Sequence, residues 1–355
     1  MRLFERTGPR AMPGICRVAM SPALSNVLLG CLAVFVLYRF YGWAVADAVW
    51  QAGSAAECGQ LGSGACWAVI RERGRLVLFG LYPEDEQWRA ILGGAIILAA
   101  AVLSCLRPLQ RLQVLAPLWF LAMGSFSVLM SGGVLGLVPV ERTSWGGLSL
   151  TFYIFSAMLM IGMPLAVLIA LGRHGGPRWL SVPLGMGVDL IRSIPLTAIL
   201  FFAALVLPTL FAAELLGDKL MRVILGFSVF FACYQSEVIR GGLQALDRGQ
   251  AEAGRSLGLG WFDIQTRIVL PQVFRTVLPQ TVNQIVTAFK DTSYVAIIGF
   301  FDMTASASAA LGSGEWAAAF VEVYLMVACL YLAFGYSLSR YGAYLERKSD
   351  VAFTR

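Results

Sequence analysis

Glu252–Pro271 reads EAGRSLGLGWFDIQTRIVLP, an island of charge (Glu252, Arg255, Asp263, Arg267) with apolar sequence on both sides. Its spacing is regular. Glu252-Ala253-Gly254 is followed by three residues and Gly258, then by nine residues and Ile268, then by Leu270-Pro271. The pattern predicts a short helix over 250–257, which brings Ala251, Gly254 and Gly258 near one face. Side chains that small would admit the backbone of another protein. Gly258 is suited to end the helix in a left-handed conformation that other residues resist. Pro271 and Pro279 mark points where regular structure restarts, because proline is accepted in a first turn and resisted deeper. In a membrane protein a polar loop of this size either meets a partner in water or is an ordinary solvated connector.

Composition sets the surroundings of that loop. The chain has 355 residues, 58% of them hydrophobic, a mean hydropathy of +0.73 and 14% charged residues. Soluble domains carry about a quarter charged residues, so this is a polytopic membrane protein. The net charge of +6 reflects topology before it reflects a nucleic-acid partner. One histidine and seven scattered cysteines exclude a conventional zinc framework, and no metal site is expected. Cys16, Cys31, Cys105, Cys233 and Cys329 lie in or beside apolar runs and read as packing residues. The chain contains no G-x-x-x-x-G-K-[S/T], so it cannot hydrolyse ATP by a phosphate loop of its own.

In chain order, residues 1–21 form a basic arm. Residues 22–145 form an extension with three apolar runs (about 27–49, 90–106 and 114–136) and a polar loop at 48–87. The first run could serve as a secretory signal, but the aromatic belt of Tyr38, Tyr41 and Trp43 fits an uncleaved span. The second polar connector, 137–147, contains Trp145-Gly146-Gly147. Five further runs, about 148–171, 190–211, 220–240, 275–300 and 318–340, follow before a tail at 346–355. Each is long enough to cross a hydrocarbon core of roughly 30 Å. The expectation is an all-α fold with about eight transmembrane helices and both termini on one side. The arm, the tail and the loops on their side carry 17 Lys+Arg, and the opposite loops carry 7. That asymmetry places both termini, and the 241–275 loop, in the cytoplasm. Residues 66–82 alternate apolar and basic residues and read as an amphipathic segment on the outer surface. Gly132 and Gly136 make a GxxxG at the end of the third run, a sign of close helix packing.

The loop resembles the EAA loop of bacterial ABC importer permeases, E-A-A, three residues, G, nine residues, I-x-L-P, with Gly254 in place of the second alanine. The resemblance extends to Asp189-Leu190-Ile191-Arg192-Ser193-Ile194-Pro195-Leu196, to Tyr234–Leu243 (YQSEVIRGGL) and to Lys290-Asp291-Thr292-Ser293. It covers about 146–345 and is closest to the polar amino acid subfamily. The three extra spans, the Cys58…Cys66-Trp67 loop and Tyr82-Pro83…Gln87-Trp88-Arg89 are similar to the longer permease subunit of general L-amino acid importers. The resemblance implies a type I ABC transmembrane domain of five helices at 146–345 in the bacterial inner membrane. It implies a heterodimer with a homologous permease, two ATPase subunits that hold ATP and Mg, and a periplasmic binding protein. It assigns contact with the ATPase to Glu252, Ala253, Gly254, Gly258, Ile268, Leu270 and Pro271.

Charged residues within membrane spans are costly and therefore candidates for function. Arg192, Glu237, Lys290, Asp291 and Glu322 qualify, with Thr292 and Ser293 beside them, as substrate-path or gate residues. Adjacent Lys290 and Asp291 point about 100° apart on a helix and cannot pair well with each other. By helical rise Lys290 lies roughly 22 Å from the loop. The two either contact substrate or pair with other helices to fix the bundle. Arg192 and Glu237 sit near span ends, where a structural or gating role fits. Glu322 begins the last span on the outer side, where a snorkelling side chain is the plain alternative. Pro195 and Pro208 break the second core helix and free carbonyls for a cavity, or simply kink it. Cys58 and Cys66, outside the membrane where disulfides persist, either form a bridge or remain free thiols. An ion-driven secondary transporter is the alternative function. A membrane-embedded enzyme would need clustered ligands or a nucleophile with its base, which the sequence lacks.

Overall fold

The computed structural model describes residues 22–211, 217–247, 249–312 and 314–353. The basic arm 1–21 and Cys16 lie outside them. The extension comprises α1 (Pro22–Tyr41), α2 (Ala55–Leu61), α3 (Ala68–Phe79), α4 (Gln87–Ser104) and α5 (Leu112–Ser131). The rest comprises α6 (Gly147–Gly175), α7 (Arg178–Ser193), α8 (Leu196–Phe201), α9 (Leu207–Leu210), α10 (Lys219–Ala245), α11 (Gly249–Ser256), α12 (Trp261–Asp263), α13 (Leu270–Thr276), α14 (Leu278–Asp291), α15 (Met303–Leu311) and α16 (Phe320–Phe353). A two-residue strand, β1 (Phe301–Asp302), bridges in parallel to Gly146 and Gly147. The dominance of helix follows from the apolar runs, since in lipid a helix satisfies its own backbone.

Among the described residues six helices are long and apolar enough to cross a membrane, or seven if a pair bent by 105°, Arg178–Ser193 with Leu196–Leu210, counts as one span. Two of the eight expected spans are therefore interrupted. In the first, Pro195 forces Ile194 out of the helical region, to φ −99° and ψ 135°, because the proline ring clashes with the preceding residue. A π-segment at Phe202–Val206 then leads into Pro208. In the second, expected over 275–300, α14 ends at Asp291 and a 3-10 turn covers Thr292–Ile298. The Thr292 and Ser293 hydroxyls donate back to the Phe289 and Lys290 carbonyls at 2.7 and 2.9 Å, a local bond that competes with regular helix.

Helices α6 and α10 run parallel. Gly162 faces Ser228 and Phe231, and Arg173 meets Glu237 further along both helices. Two parallel spans require the chain to return across the membrane between them, through the bent pair Arg178–Ser193 and Leu196–Leu210 or the residues that follow it.

The extension is interlocked with the rest. The expected surface segment 66–82 is instead a packed helix, because Ala68, Val69 and Val77 of α3 are buried against Met303, Ala307, Val323 and Val327. Alternating basic residues remain outside, but the apolar face is covered by α15 and α16 rather than by lipid. At Gly147 (φ +61°) a Cβ would lie 2.3 Å from the Leu78 carbonyl, so the α3 end and the start of α6 can meet only through glycine. Gly132 and Gly136 also differ from expectation. They follow the end of α5 with φ of +64° and +75°, so they shape a turn and do not pack helices. Among the cysteines read as packing residues, Cys233 is buried while Cys31, Cys105 and Cys329 are exposed.

Candidate functional site

Helix α11 is built as the loop's spacing requires. The Asp247 carboxylate accepts from the Gly249 N–H at 2.9 Å and fixes its start. Its end is a Schellman closure. The Gly258 N–H donates to the Arg255 carbonyl at 2.9 Å and the Leu259 N–H to the Gly254 carbonyl at 3.1 Å, with Gly258 at φ +76°. This satisfies carbonyls that the helix end would leave unpaired. Pro271 and Pro279 stand in the first turns of α13 and α14.

Gly254 is used differently from expectation. It is buried against its own chain, where a Cβ would lie 3.0 Å from Ile264 Cγ1 and 3.2 Å from Ile268 Cδ1. Its small size seats α11 on the segment Ile264–Val269, and does not present a bare face to another protein. The separation of Gly254 from Ile268 in the motif is therefore a contact within the loop. Ile264, Val269, Val273 and Val277 join Ala166, Ile169, Val188, Ile239 and Leu243 in one buried cluster, so α11 rests on the ends of α6, α7 and α10. The outward side carries Glu252, Ala253 and Arg255, with Leu257, Trp261 and Phe262 at 79, 57 and 71% exposure. An apolar patch of that kind on a polar loop marks an interaction surface.

Just inside the loop, Glu237 of α10 gathers three arginines. Arg173 of α6 bonds to it, Arg240 lies at 2.6 Å, and Arg192, at the end of α7, lies at 3.9 Å and stacks over Tyr234. This pair from the sequence analysis is thus brought together as a junction of three helices. Arg173, which the sequence reading counted only as a loop charge, is its third member.

The remaining sequence candidates separate. Thr292 is fully buried, while Lys290 is exposed and Asp291 is half-buried. Among the described residues neither Lys290 nor Asp291 forms an ion pair with another helix, contrary to the structural option considered for them. Glu322 neither snorkels nor faces an open path. It is 6% exposed and its Oε1 accepts from the Cys66 N–H at 2.8 Å. Cys58 and Cys66 are joined by a disulfide with Cα atoms 5.8 Å apart. Glu322 therefore ties the bridged loop to the start of α16. Among the described residues no group of His, Cys, Asp and Glu is placed to hold a metal.

Sequence reading missed two buried polar residues that hold the scaffold. Arg89 is fully buried and donates to the Leu129, Val138 and Met130 carbonyls at 2.6, 2.9 and 3.4 Å, with Glu86 at 3.2 Å. It closes the end of α5 as a cation at a helix C-terminus does. Asp302 is fully buried, and its side chain accepts from the Ala305 N–H at 2.9 Å to cap α15. An aspartate ahead of Met-Thr-Ala was the available signal for that cap. For Arg89 no local pattern existed, because its partners come from across α5.

Comparison with known proteins agrees with this geometry. Residues 162–351 match the family described as "Binding-protein-dependent transport system inner membrane component". The chain is 36% identical to the inner membrane amino-acid ABC transporter permease protein YhdY of Escherichia coli (strain K12), over 99% of this chain and 97% of that one. It is 32% identical to BztC, a glutamate/glutamine/aspartate/asparagine transport system permease protein of Rhodobacter capsulatus, over 98% of this chain and 96% of that one. A shorter relative, the glutamate/aspartate import permease protein GltK of Escherichia coli O157:H7, is 31% identical over 60% of this chain and 96% of its own. A predominantly helical chain with several candidate spans, relatives named as permease proteins along nearly its whole length and a family match over more than half of it belongs to the binding-protein-dependent transport system inner membrane components, the multi-pass permease subunits of ABC importers.

Proposed function

We propose that this permease subunit moves L-amino acids across the bacterial inner membrane and is driven by ATP through the α11 loop. The observation that carries the coupling is the seating of α11. Its inner side is locked to Ile264 and Ile268, its outer side offers Leu257, Trp261 and Phe262, and its base is packed against α6, α7 and α10. Glu252, Ala253, Gly258, Leu270 and Pro271 belong to the same unit. A force on its outer side is therefore passed to helix ends as rigid-body tilting rather than absorbed by a loose loop.

In this reading two ATPase subunits, which hold ATP and Mg, dock on the loop. A homologous permease completes a heterodimer, and a periplasmic binding protein delivers the substrate. Both termini are cytoplasmic, with 22–145 as an extension and 146–345 as the type I core. Amino acids are the proposed cargo because YhdY and BztC match this chain nearly end to end. Exposed Lys290 and half-buried Asp291 and Ser293 are the proposed contacts along the substrate path. The test is uptake of labelled L-amino acids by sealed proteoliposomes that hold the complex as purified from its host, with α11 facing the lumen and the binding protein added outside. Uptake that requires ATP inside the lipid compartment facing α11, and survives ionophores, supports the reading. Uptake that follows an ion gradient without ATP overturns it in favour of secondary transport.

A further inference from the structure

Helix α7 has three faces, and its apolar second face is left uncovered by its own chain. A helix turns about 100° per residue, which groups Leu180, Leu184, Val188 and Ile191. That group packs inward: Val188 is buried, and a Cβ at Gly172 of α6 would lie 2.8 Å from Leu184. Trp179, Val182, Met186 and Leu190 fall on a second face, and they are 76, 55, 69 and 62% exposed. Arg178, Ser181, Asp189 and Arg192 fall on the third.

The tethers of α7 decide where this exposed stripe lies. Gly176-Pro177 joins α7 to α6, and Ile194-Pro195 joins it to α8. Helix α6 is long and apolar enough to cross the membrane, and the segment Leu196–Leu210 leaves α7 at 105°. A helix of 16 residues, about 24 Å long, thus begins just past the end of α6, ends with Arg192 reaching the same Glu237 that Arg173 of α6 bonds, and lies at 105° to the segment that follows it.

We propose that α7 lies in the membrane–water interface on the side of α11, with Trp179, Val182, Met186 and Leu190 inserted among the lipid chains of that leaflet. Tryptophan and long aliphatic residues on one face, with arginines on the next, are the composition of an interfacial helix. Arg178 and Arg192, with Arg173 and Arg240 behind them, outnumber Asp189 and Glu237, so the water-facing edge suits anionic headgroups. The inference is independent of the cargo and of the energy source.

The experiment uses the complex as purified, reconstituted in nanodiscs of phosphatidylethanolamine and phosphatidylglycerol. The cysteines outside the bridge, buried Cys233 apart, are changed to serine. Nitroxides are then placed singly through Trp179→Cys, Val182→Cys, Met186→Cys, Leu190→Cys, Arg178→Cys and Asp189→Cys. The expected result is relaxation by oxygen exceeding relaxation by an aqueous nickel chelate at the first four positions, and the reverse at the last two. Chelate dominance at the first four overturns the proposal and puts α7 in water. Protection of those four from both reagents also overturns it, because a protein partner then covers the stripe.

Discussion

Gly258 and Gly254 share one motif but serve different physical purposes. Gly258 has φ +76° with open space around it, so only backbone strain opposes a side chain there. Gly258→Ala is expected to weaken the α11 closure by about 1–2 kcal/mol and to lower ATP-driven uptake while the chain still inserts. Gly254 is limited by space instead. Gly254→Ala meets the ends of Ile264 and Ile268, which can shift by a few tenths of an ångström, and should transport nearly normally. Gly254→Leu must unseat α11 and should leave ATP hydrolysis uncoupled from uptake in the reconstituted complex. Equal behaviour of the two variants would refute the seating argument. Glu322 gives a second test at this scale. Glu322→Gln keeps an oxygen for the Cys66 N–H and is expected to transport normally. A residue that gates by charge would instead lose activity on the same change.

At the scale of elements, two charged groups hold helices to one another, Glu237 half-buried and Arg89 fully buried. Glu237→Gln would leave Arg173, Arg192 and Arg240 around a neutral amide where α6, α7 and α10 meet. A loss on the order of 1–3 kcal/mol is expected, read as a fall in the melting temperature of the detergent-solubilised protein. Arg89→Met keeps the volume but takes the Arg89 donor from the Leu129 and Val138 carbonyls, while the Met130 carbonyl keeps the Tyr82 hydroxyl at 2.9 Å, an effect of similar order. Its melting temperature should fall while the ATPase contact through α11 persists in a pull-down. The sequence showed that α6 and α10 are apolar helices. It did not show that Glu237 would face Arg173, because residues 64 apart meet only when two parallel helices settle into register.

On the scale of the whole molecule, the extension and the core share buried surface. The Cys58–Cys66 bridge, Glu322 and the α3 contacts with α15 and α16 join them on the side opposite α11. Cys58→Ser is expected to lower stability by about 2–3 kcal/mol, from the entropy of so short a closed loop, and to expose Cys66 to alkylation without reductant. A chain beginning at Trp145 would expose Met303, Ala307, Val323 and Val327, and is expected to fail to accumulate in membranes. Normal accumulation would mean that the extension is an independent unit.

The sequence by itself determined the polytopic helical class, the apolar runs, the α11 helix with its glycine end and the family resemblance, because each rests on composition or on spacing within one short segment. Hydrophobic runs and turn chemistry act locally and need no partner to be read. Only the tertiary structure decided that Gly254 faces its own chain, that Glu322 holds the bridged loop, that α3 is buried and that two expected spans are broken. Each of those depends on which surface arrives opposite a residue. That is fixed by the packing of elements distant in sequence, where burial and the need to satisfy polar groups override local preference.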